Sequence, residues 1–195
     1  MLTSEVEEGN LDSIELEGAD ESHQDLSGLT VCACTFTRVD FSSTLLCGTS
    51  IVDTLFEDCE LSHADFSKAH LTRVRFVGCS LKGASFVEAQ LKECTFTSCH
   101  STWAMFSSSS MRKTVFSQCQ LGECDFSSLK AKALSIRDSD LTRSSFLGTM
   151  LSTLDLRGSD ITGIFVSDTM RELRGARLDV PQLIQLSGLL GIELI

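Results

Sequence analysis

Residues 59–88 read CELSH ADFSK AHLTR VRFVG CSLKG ASFVE, six units of five residues that share one pattern. The third residue of each unit is Leu or Phe, the first is Ala, Val or Cys, and the other three are mostly polar. This period of five matches neither the alternation of a half-buried strand nor the 3.6-residue period of a helix. A chain with two inward residues in every five must turn a corner at each unit.

The same period runs through most of the chain. Of the 32 positions taken every fifth residue from Leu11 to Val166, 29 are Leu, Ile, Val, Met or Phe, and the exceptions are Glu21, Ser101 and Ala131. Two residues before each of these core centres, 24 of 31 positions are Ala, Cys, Ser, Thr or Val. The register does not shift, so no inserted loop is expected. A fixed internal period of this kind is typical of a repeat architecture.

A second period of twenty residues appears in the choice of core side chains. If four units close one coil, residues twenty apart stack on one another. Phe then occupies two opposite walls and aliphatic residues mostly fill the other two. The two Phe series are Phe36, Phe56, Phe76, Phe96 and Phe116, and Phe66, Phe86, Phe106, Phe126 and Phe146. This regularity favours a four-sided coil over one with three or five sides.

The individual units resemble those of a known family. Residues 64–68 (ADFSK), 124–128 (CDFSS) and 139–143 (SDLTR) are similar to the A-(D/N)-(L/F)-X-X motif of pentapeptide-repeat proteins. The resemblance covers roughly residues 11–168. It implies an all-β solenoid, namely a right-handed quadrilateral β-helix. Seven to eight coils at about 4.8 Å each would form a rod roughly 34–38 Å tall.

Composition and pattern divide the chain into three parts. Residues 1–10 are expected to form an acidic, partly disordered tail, because residues 1–25 hold nine acids and no Lys or Arg. Residues 11–170 form the predicted β-helix. Residues 171–195 are predicted to be a C-terminal helix and strand that cap the rod and dimerise. Asp179 and Pro181 indicate the start of the helix, and Gly191 is predicted as its C-cap.

The predicted helix is apolar on nearly every side. One end of a coil cannot cover such a helix, so an isologous homodimer is expected, with a monomeric cap as the alternative. The predicted dimer interface consists of Leu183, Ile184, Leu186, Leu189, Leu190, Ile192 and Leu194.

The tail also narrows the family resemblance. From Gly175 through Gly191 and Ile192 it is similar to the C-terminal module of the Qnr and MfpA quinolone-resistance proteins. In that subgroup the module joins two rods, and the dimer is thought to imitate duplex DNA on DNA gyrase. The resemblance implies a DNA-mimicking protein that binds gyrase or topoisomerase IV and protects it from quinolones or a related gyrase poison. The unbroken register lacks the inserted loops of some Qnr-type proteins, as MfpA-like members do.

Charge on the four walls gives an independent observation. We name the walls by their core centres: wall A contains Val31 and its equivalents every twenty residues, wall B Phe36, wall C Phe41 and wall D Leu46. Walls C and D adjoin and together carry a net charge of −7, from ten acids against Lys68, Lys82 and Arg143. The ten acids are the predicted partner-binding residues: Asp25, Asp40, Glu60, Asp65, Glu88, Glu123, Asp125, Asp140, Asp160 and Asp168.

Wall A has the opposite sign. Its six bases against Asp53 and Glu93 give +4, and wall B balances. The bases are Arg73, Lys92, Arg112, Lys113, Lys130 and Lys132. The acidic side is interpreted as a functional surface; the alternative is that any outward surface must carry some charge.

Residues 101–110 interrupt the pattern, with Ser101 where a large apolar side chain belongs. Trp103 takes an outward position beside the acidic side. Either this coil repacks locally, or Trp103 is an exposed contact residue.

Several function classes are not supported by the sequence. The four histidines all take outward positions, and there is no phosphate-binding glycine loop, so neither an enzyme nor a cofactor is predicted. Seven of the nine cysteines occupy the small inward position and are interpreted as core packing, not metal ligands. With a net charge of −11, no apolar leader and no long apolar run, we expect a cytoplasmic protein without nucleic-acid, membrane or small-molecule ligands. The alternative function is an interaction scaffold with a non-topoisomerase partner.

Overall fold

The computed structural model describes residues 2, 9–189 and 191. Over these residues the chain winds into a parallel β-solenoid with four walls and one C-terminal helix, which confirms the predicted right-handed quadrilateral β-helix. Every strand pairs with the strand twenty residues away, as in Leu11 with Val31 and Phe96 with Phe116. The period of twenty is therefore the length of one coil.

Walls A and B carry the regular strands. Wall A is a seven-stranded parallel sheet. Its strands are β1 (Asn10–Asp12), β3 (Thr30–Cys32), β5 (Ser50–Val52), β7 (His70–Thr72), β9 (Gln90–Lys92), β11 (Ser110–Arg112) and β13 (Lys130–Lys132). Wall B is an eight-stranded parallel sheet. Its strands are β2 (Glu15–Glu17), β4 (Thr35–Thr37), β6 (Leu55–Glu57), β8 (Arg75–Val77), β10 (Thr95–Thr97), β12 (Val115–Ser117), β14 (Leu134–Arg137) and β15 (Leu154–Asp155).

Walls C and D are held by single parallel bridges, one per coil. On wall C the bridged column begins with Asp20, Asp40 and Glu60, and on wall D it begins with Asp25, Leu45 and Asp65. The hydrogen bonds have the same geometry as in the sheets, because the N–H of each core centre donates to a carbonyl nineteen residues ahead, as from Phe66 to Ser85 at 2.7 Å.

A left-handed residue at each corner produces the period of five. The second residue after nearly every core centre has a positive φ, for example His23 at 57° and Asp58 at 52°. Glycine adopts this conformation without the steric cost that a side chain incurs, and Gly78 also makes room for its neighbour. A Cβ added at Gly78 would collide with Oδ1 of Asp58, which reaches up from the coil below.

Two ladders of Phe rings fill the core. On wall B the centroids of Phe76, Phe96 and Phe116 are 4.6 and 4.4 Å apart, with planes within 9° of parallel. Rings on wall D stack in the same way and meet those of wall B edge to face, as Phe86 meets Phe96 at 6.0 Å. Both arrangements are favourable for aromatic pairs. The predicted ladders are confirmed.

The cysteines at the small inward position are packing residues. Each thiol donates to backbone carbonyls, as Sγ of Cys59 does to Phe36 at 3.3 Å and to Glu57 at 3.4 Å. Burial raises the pKa of the Cys94 thiol to about 11. The Cys94 thiol therefore remains protonated and unreactive at neutral pH.

The exceptions to the core pattern are each accommodated differently. Glu21 is buried, and its Oε1 accepts a hydrogen bond from the N–H of Leu2 at 2.8 Å. Leu2 is itself buried and covers the N-terminal end of the core. Ser101 is fully buried, and its Oγ has no hydrogen-bond partner among the described residues. Of the predicted acidic tail, residues 1 and 3–8 lie outside the described residues.

The regular coils end in two 3-10 turns, Leu151–Thr153 and Arg171–Leu173, and in helix α1 (Val180–Ser187). Asp179 is the N-cap, as predicted, and forms a capping box with Gln182. The prediction of Gly191 as the C-cap is wrong. The helix ends at Ser187 with Gly188 as its C-cap, and Gly191 forms a later turn by donating to Gly188. None of the helices in the described part of the chain has the length and apolar content to span a bilayer.

Side chains of the C-terminal segment hydrogen-bond the open edge of the last coil. Oε1 of Glu172 accepts from Gly148 at 2.9 Å, and Oε1 of Gln185 accepts from Ile161 at 3.0 Å. Nε2 of Gln182 donates to the carbonyls of Leu156 at 2.5 Å and Ser159 at 3.0 Å. These groups replace the backbone partners that a further coil would supply, which a solenoid needs at its end.

Candidate partner-binding surface

The structure places all ten predicted acids on the outside of walls C and D, where none is buried. Seven occupy the position just before a core centre, and Glu88 and Glu123 occupy the left-handed corner position. Asp168 follows the last repeat.

Acids on wall C stack directly from coil to coil. Asp20, Asp40 and Glu60 form one bridged run, and Asp140 pairs with Asp160 further along the rod. The adjacent carboxylates are therefore one coil apart, about 4.8 Å. Asp20 was not among the predicted site residues, although its place on the five-residue register, directly below Asp40, was the signal that could have found it.

Most of these carboxylates also close a turn. Oδ1 of Asp40 accepts from the N–H of Ser42 at 2.8 Å, and Oδ1 of Asp125 accepts from the N–H of Ser127 at 2.9 Å. The same bond recurs at the other acids before a core centre, an Asx-type turn that explains the acid in the repeat motif. Hydrogen bonds from Ser27 lower the pKa of Asp25, so this carboxylate is ionised at neutral pH.

Large apolar side chains lie exposed among the acids. Trp103 stands at the corner between walls C and D with 58% of its surface exposed, and Met105 lies beside it on wall D. Gly83 occupies the corner position one coil below Trp103. Phe165, 53% exposed, is on the same column of wall D as Met105, three coils away. It was not predicted, although it is the one Phe outside the core register.

A second exposed apolar patch covers the outer face of α1. Leu183 is 54% exposed and Ile184 53%, and Val180 and Leu189 extend the patch. Leu186 is instead 2% exposed and belongs to the core of its own chain. Three other predicted interface residues, Leu190, Ile192 and Leu194, lie outside the described residues.

The site offers no metal-binding geometry. Within the residues that the structure describes, no group of three His, Cys, Asp or Glu side chains is arranged to hold a metal ion. The acidic surface is an extended array of single carboxylates, which suits contact with a large basic surface.

Comparison with known proteins identifies the repeat. A family model described as a pentapeptide repeat region matches residues 49–126 and 69–146, which together span half of the chain. The chain belongs to the pentapeptide-repeat family. No curated protein sequence matches it.

Several solved structures align with this pentapeptide-repeat protein over most of its length. A trypsin-treated variant of QnrB1, a plasmid-mediated fluoroquinolone resistance protein, has 21% sequence identity, covers 93% of this chain and 99% of its own, and gives a TM-score of 0.39. HetL, a pentapeptide-repeat protein involved in heterocyst differentiation regulation in the cyanobacterium Nostoc, has 18% identity, coverages of 82% and 85%, and a TM-score of 0.25. Rfr23 from the cyanobacterium Cyanothece has 12% identity, coverages of 91% and 97%, and a TM-score of 0.25.

Proposed function

We propose that this protein is a non-catalytic binding protein whose acidic walls C and D occupy the DNA-binding surface of bacterial DNA gyrase or topoisomerase IV. It would protect the enzyme from quinolones or a related gyrase poison by competing with DNA. Such a partner lies in the cytoplasm, the compartment we propose for this chain. The observation that carries the proposal is the array of exposed carboxylates on two adjoining walls, joined to a C-terminal module similar to that of Qnr and MfpA proteins.

The charge density supports partial imitation of DNA. With Asp20 included, a net charge of −8 over a rod of roughly 35 Å is about one charge per 4.4 Å, against about one per 1.7 Å in duplex DNA. Affinity must therefore come from apolar contact as well. Trp103 and Met105, at mid-height on the same side, supply the kind of aromatic and Met anchor that dominates binding energy at interfaces.

A homodimer would double the length of the acidic surface. The exposed patch of Val180, Leu183 and Ile184 is too apolar to be a typical solvent face of a helix, and a two-fold contact between two α1 helices would bury it. We therefore propose a tail-to-tail dimer through this patch. Leu186 and Gln182 face the rod and would stay in place on dimerisation.

The test is supercoiling by purified gyrase in the presence of ciprofloxacin, with this protein titrated from sub-stoichiometric amounts to large excess. Rescue at low protein, or inhibition at high protein, supports the topoisomerase partner. No effect from a folded dimer contradicts it.

Variants that neutralise charge without breaking turns make the test specific. Asp65→Asn, Asp125→Asn and Asp140→Asn together keep the acceptor for each turn and remove three charges. The matched control is Glu15→Gln, Glu57→Gln and Asp138→Asn, which removes three charges from wall B. We expect the first set to weaken gyrase binding and the second to leave it unchanged.

A second candidate is an interaction scaffold with a different partner. One observation favours it: seven of the ten acids are explained by the turns that they close, without any partner. A partner recovered in the presence of excess gyrase, and unaffected by the wall C and D variants, would support this candidate.

A further inference from the structure

Wall A carries a column of cations in direct register. Lys92 on β9, Arg112 on β11 and Lys132 on β13 are paired partners in the parallel sheet, so their side chains follow one another up the rod. The spacing is one coil, about 4.8 Å. Like charges placed directly opposite each other destabilise a sheet, so the fold by itself gives no reason for this column.

The neighbouring column of wall A is neutralised, and this one is not. Nε of Arg73 lies 2.5 Å from Oδ1 of Asp53, and Nζ of Lys113 lies 3.2 Å from Oε1 of Glu93. Lys92, Arg112 and Lys132 are all exposed, and none forms an ion pair with a described residue.

The column runs into a gap at the C-terminal end of wall A. β13 is the last strand of its sheet and pairs only with β11, because the chain one coil later forms the 3-10 turn Leu151–Thr153 in place of a strand. A cavity of about 460 Å³ lies between Ala133 and Leu134 on one side and this turn on the other.

The rim of the cavity carries two cations and two acids. Arg157 and Arg177 line it together with Asp155 and Asp179. Three of these four groups are already engaged: Asp155 is paired with Arg157 at 2.8 Å and with Arg137, and Asp179 caps α1. Arg177 is exposed, with no ion-pair partner in the part of the chain that the structure describes.

We propose that wall A is a docking site for an extended acidic peptide segment of a partner protein. The segment lies along the column Lys92–Arg112–Lys132 and ends at the free edge of β13, beside the cavity, where its backbone pairs with β13 and its acids meet Arg177. An unpaired strand edge recognises a peptide backbone, and the flanking charges select its side chains. Wall A lies opposite wall C and adjoins wall D, so this site faces away from one half of the acidic side.

A peptide fits this site better than a nucleic acid does. The basic column is confined to one wall, whereas duplex DNA is wide enough to bring its phosphates close to Glu88 and Asp168 on the adjoining wall D. Repulsion from those acids acts within a Debye length, about 8 Å at physiological salt. The edge of β13 also offers backbone N–H and C=O groups in the spacing of a strand, which phosphates cannot match.

The test is fluorescence anisotropy of the full chain with a fluorescein-labelled peptide of four Glu-Val pairs. We expect saturable binding that Arg112→Glu with Lys132→Glu weakens at least about tenfold. The control, Arg75→Glu with Arg143→Glu, makes the same charge change at exposed positions on walls B and C and should leave binding within about twofold.

Two further measurements separate the parts of the proposal. The same peptide N-methylated at alternate residues keeps its charge but cannot pair with β13, so it should bind more weakly. Equal affinity for the methylated peptide would overturn the strand pairing. A labelled single-stranded DNA of twenty nucleotides that binds as tightly as the peptide, or equal losses in both pairs of variants, would overturn the peptide site.

Discussion

Gln182 is expected to hold the C-terminal cap on the rod. Its side chain is almost fully buried and makes three hydrogen bonds: Oε1 accepts from Asp179 at 3.2 Å, and Nε2 donates to Leu156 and Ser159. At about 1 kcal/mol for each bond, Gln182→Ala should lower the free energy of unfolding by about 3 kcal/mol. The carbonyls of Leu156 and Ser159 are left without their donor, so a smaller loss is not expected.

Gln185→Ala is the matched control. Gln185 is on the same helix, but its side chain makes a single hydrogen bond, in which Oε1 accepts from the N–H of Ile161 at 3.0 Å. Removing this bond should lower the free energy of unfolding by about 1 kcal/mol. Urea unfolding measures both changes, and hydrogen exchange should show lost protection around residues 156–161 first, because terminal coils of a solenoid open locally. A Gln182→Ala variant as stable as Gln185→Ala would refute the reasoning.

Three further predictions concern two residues of the core and one of the C-terminal cap. Phe96→Ala should cost about 3–5 kcal/mol by urea unfolding, because the ring is stacked on both sides and cannot be replaced by a shift of its neighbours. Ser101→Ala should raise the free energy of unfolding by about 1 kcal/mol, since it removes a buried hydroxyl without a partner among the described residues. For Glu172, burial by itself raises the pKa, but hydrogen bonds from Ser167 and Gly148 outweigh it and hold the pKa at about 2. The lowered pKa makes its stabilisation complete above about pH 4.5 and lost as the pH falls toward 2, so Glu172→Gln should flatten the stability profile in that window.

The coils could be predicted from the sequence because each unit repeats the same local pattern of residues. A large residue such as Phe96, a small one such as Cys94 two positions earlier, and a left-handed corner residue such as Ser98 recur with one spacing. A unit that departs from the pattern is still placed in register by the units before and after it in the chain. The walls, the Phe ladders and the outward direction of the ten acids all follow from that register.

The two ends could not be predicted because they depend on single contacts. Nothing in the pattern indicates that Leu2 covers the first coil, that Glu21 accepts its N–H, or that Glu172 hydrogen-bonds Gly148. The gap beside β13 could not be predicted for a different reason. Leu151 keeps the five-residue register and stays in the core, although its backbone no longer pairs with the sheet. The pattern of core residues predicts which side chains point inward, but it does not predict which backbone groups pair.

The carboxylates of the acidic side both carry charge and close turns, and a test of this surface has to separate the two roles. Reversing the charge at Asp125 or Asp140 would also remove the acceptor that closes the turn, at Ser127 and Thr142 respectively. A loss of binding would then report either charge or shape. Asn keeps the turn and removes the charge, so only the electrostatic contribution changes.

Glu88 and Glu123 are free of this ambiguity. Both stand at left-handed corner positions, where Gly would be less strained, and neither makes a turn bond like that of Asp125. Replacing each by Gly should stabilise the rod while removing charge from the acidic side. If gyrase binding weakens in a variant that is more stable than the parent chain, the acids act through the partner and not through the fold.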